Sequence, residues 1–151
     1  MAFPPLRFRN NKLELLDQRK LPEKEIWISC RTPEQVYDAI RHMIVRGAPA
    51  IGITGGYGVY LGIHSFRGNK VAFLKKLETT ASYLKTARPT AVNLRNVIDQ
   101  IVEEIKKNSE TNVEKLKKAV LRKAKEVHEE DDRLCRAIGQ YGAKLFKSGD
   151  Q

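Results

Sequence analysis

The sequence predicts an α+β domain: a small three-stranded antiparallel sheet followed by a bundle of about five helices. Three observations predict it. Short segments of alternating polarity occupy only the first thirty residues. From Thr32 onward, apolar residues recur every three or four positions. The breaks between these periodic stretches carry helix punctuation: Thr-Pro, Gly-Ala-Pro, Gly-Asn, Arg-Pro-Thr and Thr-Asn.

The strands come first. Leu6-Arg7-Phe8-Arg9 alternates, Asn10-Asn11 turns the chain, and Leu13-Glu14-Leu15 alternates again. Asp17–Pro22 reads as a loop. Glu25–Cys30 is the third strand, with Ile26 and Ile28 on one face and Trp27 on the other. Thr32 then caps a helix, Pro33 takes its first position, and Gln35 completes a capping box. Val36, Ala39, Ile40, Met43 and Ile44 form its apolar stripe, and Gly47 ends it. A second helix starts at Pro49 and runs uncharged to Ile63. It holds five glycines, which predicts close packing inside the protein. Gly68-Asn69 breaks the chain again. Val71, Leu74, Leu77 and Leu84 line a third helix that stops before Pro89.

Pro89 is expected to open the fourth helix, striped by Ala91, Leu94, Val97, Ile101, Val102 and Ile105 and ended by Asn108-Ser109. Thr111-Asn112-Val113-Glu114 reads as a second capping box. Val113, Leu116, Val120, Val127, Leu134, Ile138, Tyr141 and Leu145 then mark one long final helix, with a bend expected near Gly139 or Gly142. The whole reads as one domain, residues 1–151, with a sheet over about 1–30 and helices over 32–147. There is no internal repeat and no interdomain linker.

Composition narrows the function. Apolar residues make up 41% and charged residues 30%, which suits a globular chain and excludes a disordered one. The run Ala48–Ile63 is too short to span a bilayer. Met1-Ala2-Phe3-Pro4-Pro5 does not read as a signal peptide. Two cysteines without a CxxC pair suggest neither a disulfide framework nor zinc, so a cytoplasmic location is expected. The net charge of +10 is concentrated mid-chain, where residues 47–100 hold seven basic and two acidic groups. That excess fits an anionic small ligand and also nucleic acid.

The most informative stretch is Arg46-Gly47-Ala48-Pro49. A guanidinium, a bare glycine and a helix N-terminus stand together, and such a terminus offers unpaired N–H groups and a partial positive charge. Ala87-Arg88-Pro89-Thr90 repeats the arrangement. A single Arg before Pro is ordinary helix punctuation. Two of them could aim two arginines at one anion.

Other candidates read as structural. His42, His64 and His128 lack acid, Ser or Cys partners at catalytic spacings, and His128, on a charged helix, reads as solvated. Gly55-Gly56-Tyr57-Gly58 lacks the strand and Lys of a phosphate loop and reads as helix packing. Glu129–Asp132 fans around a helix and cannot converge on one metal. The Lys115–Lys125 basic run is interleaved with acids and has no aromatics for base stacking. Cys30 and Cys135 read as buried thiols. The residues alone thus describe an anion-binding surface without a nucleophile, base or metal.

Four motifs carry a resemblance. Leu15–Pro22 (LLDQRKLP), Met43–Gly52 (MIVRGAPAIG), Ala87–Leu94 (ARPTAVNL) and Ala137–Ala143 (AIGQYGA) occur in this order. Together they resemble the methylthioribose-1-phosphate isomerase family over essentially the whole chain. The resemblance implies an aldose–ketose isomerase of methionine salvage that makes methylthioribulose 1-phosphate without a metal or organic cofactor. It implies a small N-terminal domain followed by a larger Rossmann-like catalytic domain. It places substrate binding on Arg46, Gly47, Ala48 and Arg88. The family's catalytic Cys and Asp belong to the C-terminal domain. Neither Cys30 nor Cys135 matches that Cys, and Cys135 stands where the family usually has Asn.

The expectation is therefore an isolated N-terminal domain, from a split gene, a truncated frame or proteolysis, and inactive alone. Its expected partners are the sugar phosphate and a C-terminal catalytic domain or split-gene partner, with a homodimer for the full-length enzyme. Neither nucleic acid nor membrane is expected. The same superfamily offers two alternatives: a non-catalytic module related to translation initiation factor 2B subunits, and a ribose-1,5-bisphosphate isomerase-like protein.

Overall fold

A computed structural model describes residues 4–146 as three strands and five helices. They are β1 (Leu6–Arg9), β2 (Lys12–Leu16), β3 (Trp27–Cys30), α1 (Pro33–Arg41), α2 (Ala48–Ile63), α3 (Lys70–Lys85), α4 (Val92–Lys107) and α5 (Val113–Ala143). The α+β architecture is the one the sequence predicts. The final helix ends at Ala143, before the expected residue 147, which lies outside the described residues, as do Met1–Phe3 of the segment that does not read as a signal peptide.

The strands form an antiparallel sheet in the order β1-β2-β3. Asn10 and Asn11 take φ of 49° and 53°, the left-handed pair that a two-residue hairpin requires and asparagine tolerates. This turn pairs Arg9 with Lys12 and so sets Leu6 opposite Leu15. Leu13 lies opposite Cys30, and all four of these apolar side chains are buried. Phe8, on the same face as Leu6, stacks on Tyr57 of α2 with centroids 4.5 Å apart. On the other face Arg7 lies 4.1 Å over the Trp27 ring.

Helix α2 is the axis of the bundle. Every residue from Ile51 to Leu61 is buried, as its lack of charge predicts. It packs most extensively on α4, and its glycines allow the approach. A Cβ on Gly52 would stand 2.9 Å from the Asn93 carbonyl of α4. One on Gly55 would collide with Leu94, and one on Gly62 with Thr80 of α3.

Several local expectations are corrected. Helix α1 stops at Arg41, not at Gly47. The Met43 N–H donates to the Ile40 carbonyl at 3.2 Å and the Ile44 N–H to the Ala39 carbonyl at 2.9 Å. This reciprocal pair closes the helix end, with Met43 in the left-handed region at φ 56°. Met43 thereby leaves the stripe and is exposed. In α3 the expected Val71 is 79% exposed and Phe73 takes the core position. Pro89 does not open α4. It lies in a turn closed by the Ala91 N–H on the Arg88 carbonyl at 2.9 Å, and the helix starts at Val92.

The cap of α5 is Asn112, whose side chain accepts from the Lys115 N–H at 3.2 Å. The expected Thr111–Glu114 box is replaced by Glu110, which accepts from the Thr111 and Asn112 N–H groups. Helix α5 runs on through Gly139 and Gly142. The apolar stripe of α5 is buried only at its start. Leu116 and Val120 are in the core, whereas Leu134, Ile138, Tyr141 and Leu145 are exposed.

Candidate functional site

Two helix starts open into one groove of about 390 Å³. Gly47, Ala48 and Ile51 of the α2 start form one wall. Arg88, Thr90 and Ala91 of the turn, with Val92 and Asn93 of α4, form the other. The close seam at Gly52 and Asn93 brings these two N-termini together.

The capping pattern separates these two helices from the rest. Helices α1, α3 and α5 are each capped at the N-terminus by a side-chain acceptor: Thr32, Asn69 and Asn112. Helices α2 and α4 have Gly47 and Ala91 at the N-cap position, and neither gains a side-chain cap. Their first-turn N–H groups are left for water or a ligand, and the helix dipole favours an anion there. Arg88, half-buried beside them, brings a guanidinium suited to a phosphate or carboxylate.

Of the four expected binding residues, the structure gathers Gly47, Ala48 and Arg88. Arg46 stands one residue outside the lining, with an exposed side chain. Thr90 and Asn93 line the groove although sequence reasoning gave them no role. Both lie inside the Ala87–Leu94 motif, which was the available signal.

Cys30 takes the buried place expected of it, whereas Cys135 and His128 do not take theirs. Cys30 is buried, and desolvation pushes its thiol up to about 11, which leaves it unreactive at neutral pH. Cys135 is exposed, contrary to expectation, because it lies on the uncovered half of α5. His128 is not a solvated histidine. Its Nδ1 lies 3.1 Å from the Tyr57 hydroxyl, and its ring meets Tyr57 edge-on at 5.8 Å. Burial lowers its pKa against the opposing pull of Asp131, Asp132 and Glu129. The same burial pushes the Tyr57 hydroxyl up to about 12.

His128 also lines a second depression of about 270 Å³, with Leu6, Ala50, Asp131 and Cys135. Among the described residues, no three His, Cys, Asp or Glu side chains converge on a metal-binding geometry. Nor is any described helix long and apolar enough to cross a membrane.

Fold and groove together describe a compact α+β module in which two uncapped helix starts and an arginine share one groove. The chain belongs to the initiation factor 2 subunit family, whose model matches residues 44–151. It is 40% identical over 146 residues to 5-deoxyribose 1-phosphate isomerase of Bacillus cereus, covering 96% of this chain and 42% of that protein. It is 43% identical over 140 residues to the enzyme of the same name from Clostridium botulinum, covering 92% of this chain and 40% of that one.

Among solved structures it superposes on 5-methylthioribose 1-phosphate isomerase from Pyrococcus horikoshii with a TM-score of 0.91. Identity there is 32%, over 96% of this chain and 41% of that one. It superposes on translation initiation factor eIF-2B, subunit delta, from A. fulgidus with a TM-score of 0.88 and 37% identity, over 99% of this chain and 43% of that one. The chain thus spans about 42% of the length of curated relatives that it matches.

Proposed function

We propose that this chain is the substrate-gripping part of an aldose–ketose isomerase that acts on a pentose 1-phosphate. The observation that carries the reading is the pairing of uncapped α2 and α4 starts across a groove that holds Arg88. The Gly47 and Ala48 backbone and the first turn of α4 would receive the phosphate, with Arg88 as its counter-charge. Arg46, exposed at the same corner, would close on the phosphate once it is bound.

The relatives' names share a chemical class: a ribose 1-phosphate whose C5 carries hydrogen or a thioether in place of oxygen. Methylthioribose 1-phosphate, in methionine salvage, is the member that the four sequence motifs favour. Holding such a sugar in one orientation supplies much of a rate enhancement, yet proton transfer needs an acid and a base. The Cys and Asp that the family resemblance implies do not match Cys30 or Cys135, so this chain alone is inactive. They would come from a catalytic domain of the kind that the family resemblance implies, and the bare apolar stripe of α5 offers such a domain a face to pack on.

Titration with 5-deoxyribose 1-phosphate, followed by amide NMR, tests the reading. The Gly47, Ala48, Val92 and Asn93 resonances should move together. Arg88→Ala should weaken binding about tenfold, the worth of one charge-assisted contact. Shifts confined to other surfaces would refute the site, and turnover by the chain alone would refute its inactivity.

A second reading rests on the likeness to the initiation factor subunit. It makes the chain a non-catalytic binding module. Capture of translation initiation factor subunits by the purified chain, with no response to the sugar phosphate, would favour it.

A further inference from the structure

The loop after β2 holds the corner that carries Arg46 and Gly47. Residues 42–46 lie between α1 and the N-cap of α2, outside both helices, so their carbonyls need other donors. Two consecutive loop residues serve three alternate carbonyls. Arg19 donates through Nη1 to the His42 carbonyl at 3.5 Å. The Gln18 backbone N–H donates to the Ile44 carbonyl at 3.0 Å. The Gln18 side chain donates through Nε2 to the Arg46 carbonyl at 3.5 Å.

Asp17 sets this loop. Its N–H donates to the Ile26 carbonyl of the sheet edge at 2.8 Å. Asp17 is 2% exposed, and its carboxylate accepts from Arg19 Nε at 2.8 Å and Nη2 at 2.7 Å. The fork fixes the guanidinium with Nη1 turned to the corner. These bonds to Arg19 also hold the Asp17 carboxyl below its ordinary range.

The Arg46–Gly47 peptide is the one that matters. A peptide is planar and trans, so its carbonyl and N–H point opposite ways. With the carbonyl turned to Gln18, the Gly47 N–H is turned away from the loop. Gly47 itself imposes no wall. Its φ is 88°, and nothing stands within 4 Å of where a Cβ would be. The Gln18 side-chain bond is the contact that the structure records at this peptide's carbonyl.

We propose that Gln18 and Arg19, fixed by Asp17, are positioning residues for anion binding at the groove. They set the Arg46–Gly47 peptide, and with it the N–H groups and guanidinium presented to a phosphate. This rests on the reading of the groove as a sugar-phosphate site.

The test titrates 5-deoxyribose 1-phosphate into the whole chain and into Gln18→Met, Arg19→Lys and Arg88→Ala. Gln18→Met keeps the backbone bond to Ile44 and loses the side-chain bond to Arg46. Arg19→Lys keeps a cation beside Asp17 and loses the reach to His42. Each should weaken binding about fivefold, as loss of one hydrogen bond does, with an unchanged melting temperature. Gln18→Met should also move the Gly47 amide resonance before any ligand is added.

A structural role alone would lower the melting temperature and leave affinity intact. Unchanged affinity with an unmoved Gly47 resonance overturns the proposal. If the unaltered chain binds and Arg88→Ala alone weakens it, positioning fails and the groove stands. If the unaltered chain does not bind, both fall.

Discussion

The seam between α2 and α4 and the last two turns of α5 are alike in composition and opposite in environment. Both combine glycines with large apolar side chains. At the seam, Gly52 and Gly55 are where two backbones approach, and Leu94, Ile98 and Ile101 are fully buried over them. On α5, Gly139 and Gly142 face open space, while Ile138 and Tyr141 are 71% and 70% exposed. Apolar content therefore does not distinguish a packed face from a bare one. What sits opposite the face does, and the difference has energetic consequences that substitutions can read.

The largest contrast is in leucines. Leu94→Ala should cost about 3 kcal/mol, from lost burial and the cavity left between α2 and α4. Leu134→Ala, at a side chain 52% exposed, should change stability by less than about 0.5 kcal/mol. Urea denaturation measures both. Equal losses would mean that the end of α5 is covered in solution.

The glycines should differ in sign. Gly52→Ala places a methyl against the Asn93 carbonyl, which a backbone cannot yield cheaply, and should cost about 2 kcal/mol. Gly139→Ala meets nothing within 4 Å. It should stabilise the helix by about 1 kcal/mol, the difference in helix propensity. A destabilised Gly139→Ala would break the comparison, because it would require a neighbour over α5.

The smallest effect lies where the two regions meet. His128, on the last packed turn of α5, has a pKa lowered by burial from its ordinary 6.5. A lowered pKa means that the unfolded chain takes up the proton first. The His128 contribution is therefore intact above 6.5 and is lost as pH falls through the lower folded value. The melting temperature should decline over this interval, and His128→Gln should flatten the decline. A slope that survives the substitution would assign it to other groups.

Much of the fold was legible in the sequence, and the reason differs by element. The hairpin at Asn10-Asn11 and the cap at Thr32 depend on residues within four positions of one another. The burial of α2 follows from a run with no charge to solvate. The boundaries that sequence reasoning missed were decided by partners elsewhere. Helix α1 ends early because its last carbonyls are closed by Met43 and Ile44. The corner beyond it is held by Gln18 and Arg19, more than twenty residues upstream. Pro89 sits in a turn closed by the Ala91 N–H on the Arg88 carbonyl, and α4 begins beyond it, beside the close approach of Gly52 to Asn93.

The candidate site divides the same way. Arg88, Gly47 and Ala48 are recognisable by type, since an arginine and a bare glycine beside a helix start carry an anion's requirements locally. The sequence by itself determined which segments form helices, which face of each is apolar and which residues could meet an anion, because those properties depend on near neighbours along the chain. Only the tertiary structure decided that two uncapped helix starts share one groove, that Arg46 stands outside its lining, that His128 is packed on Tyr57 and that half of α5 is bare. Those outcomes depend on which surfaces lie opposite one another, and periodicity in a single chain does not encode what lies opposite.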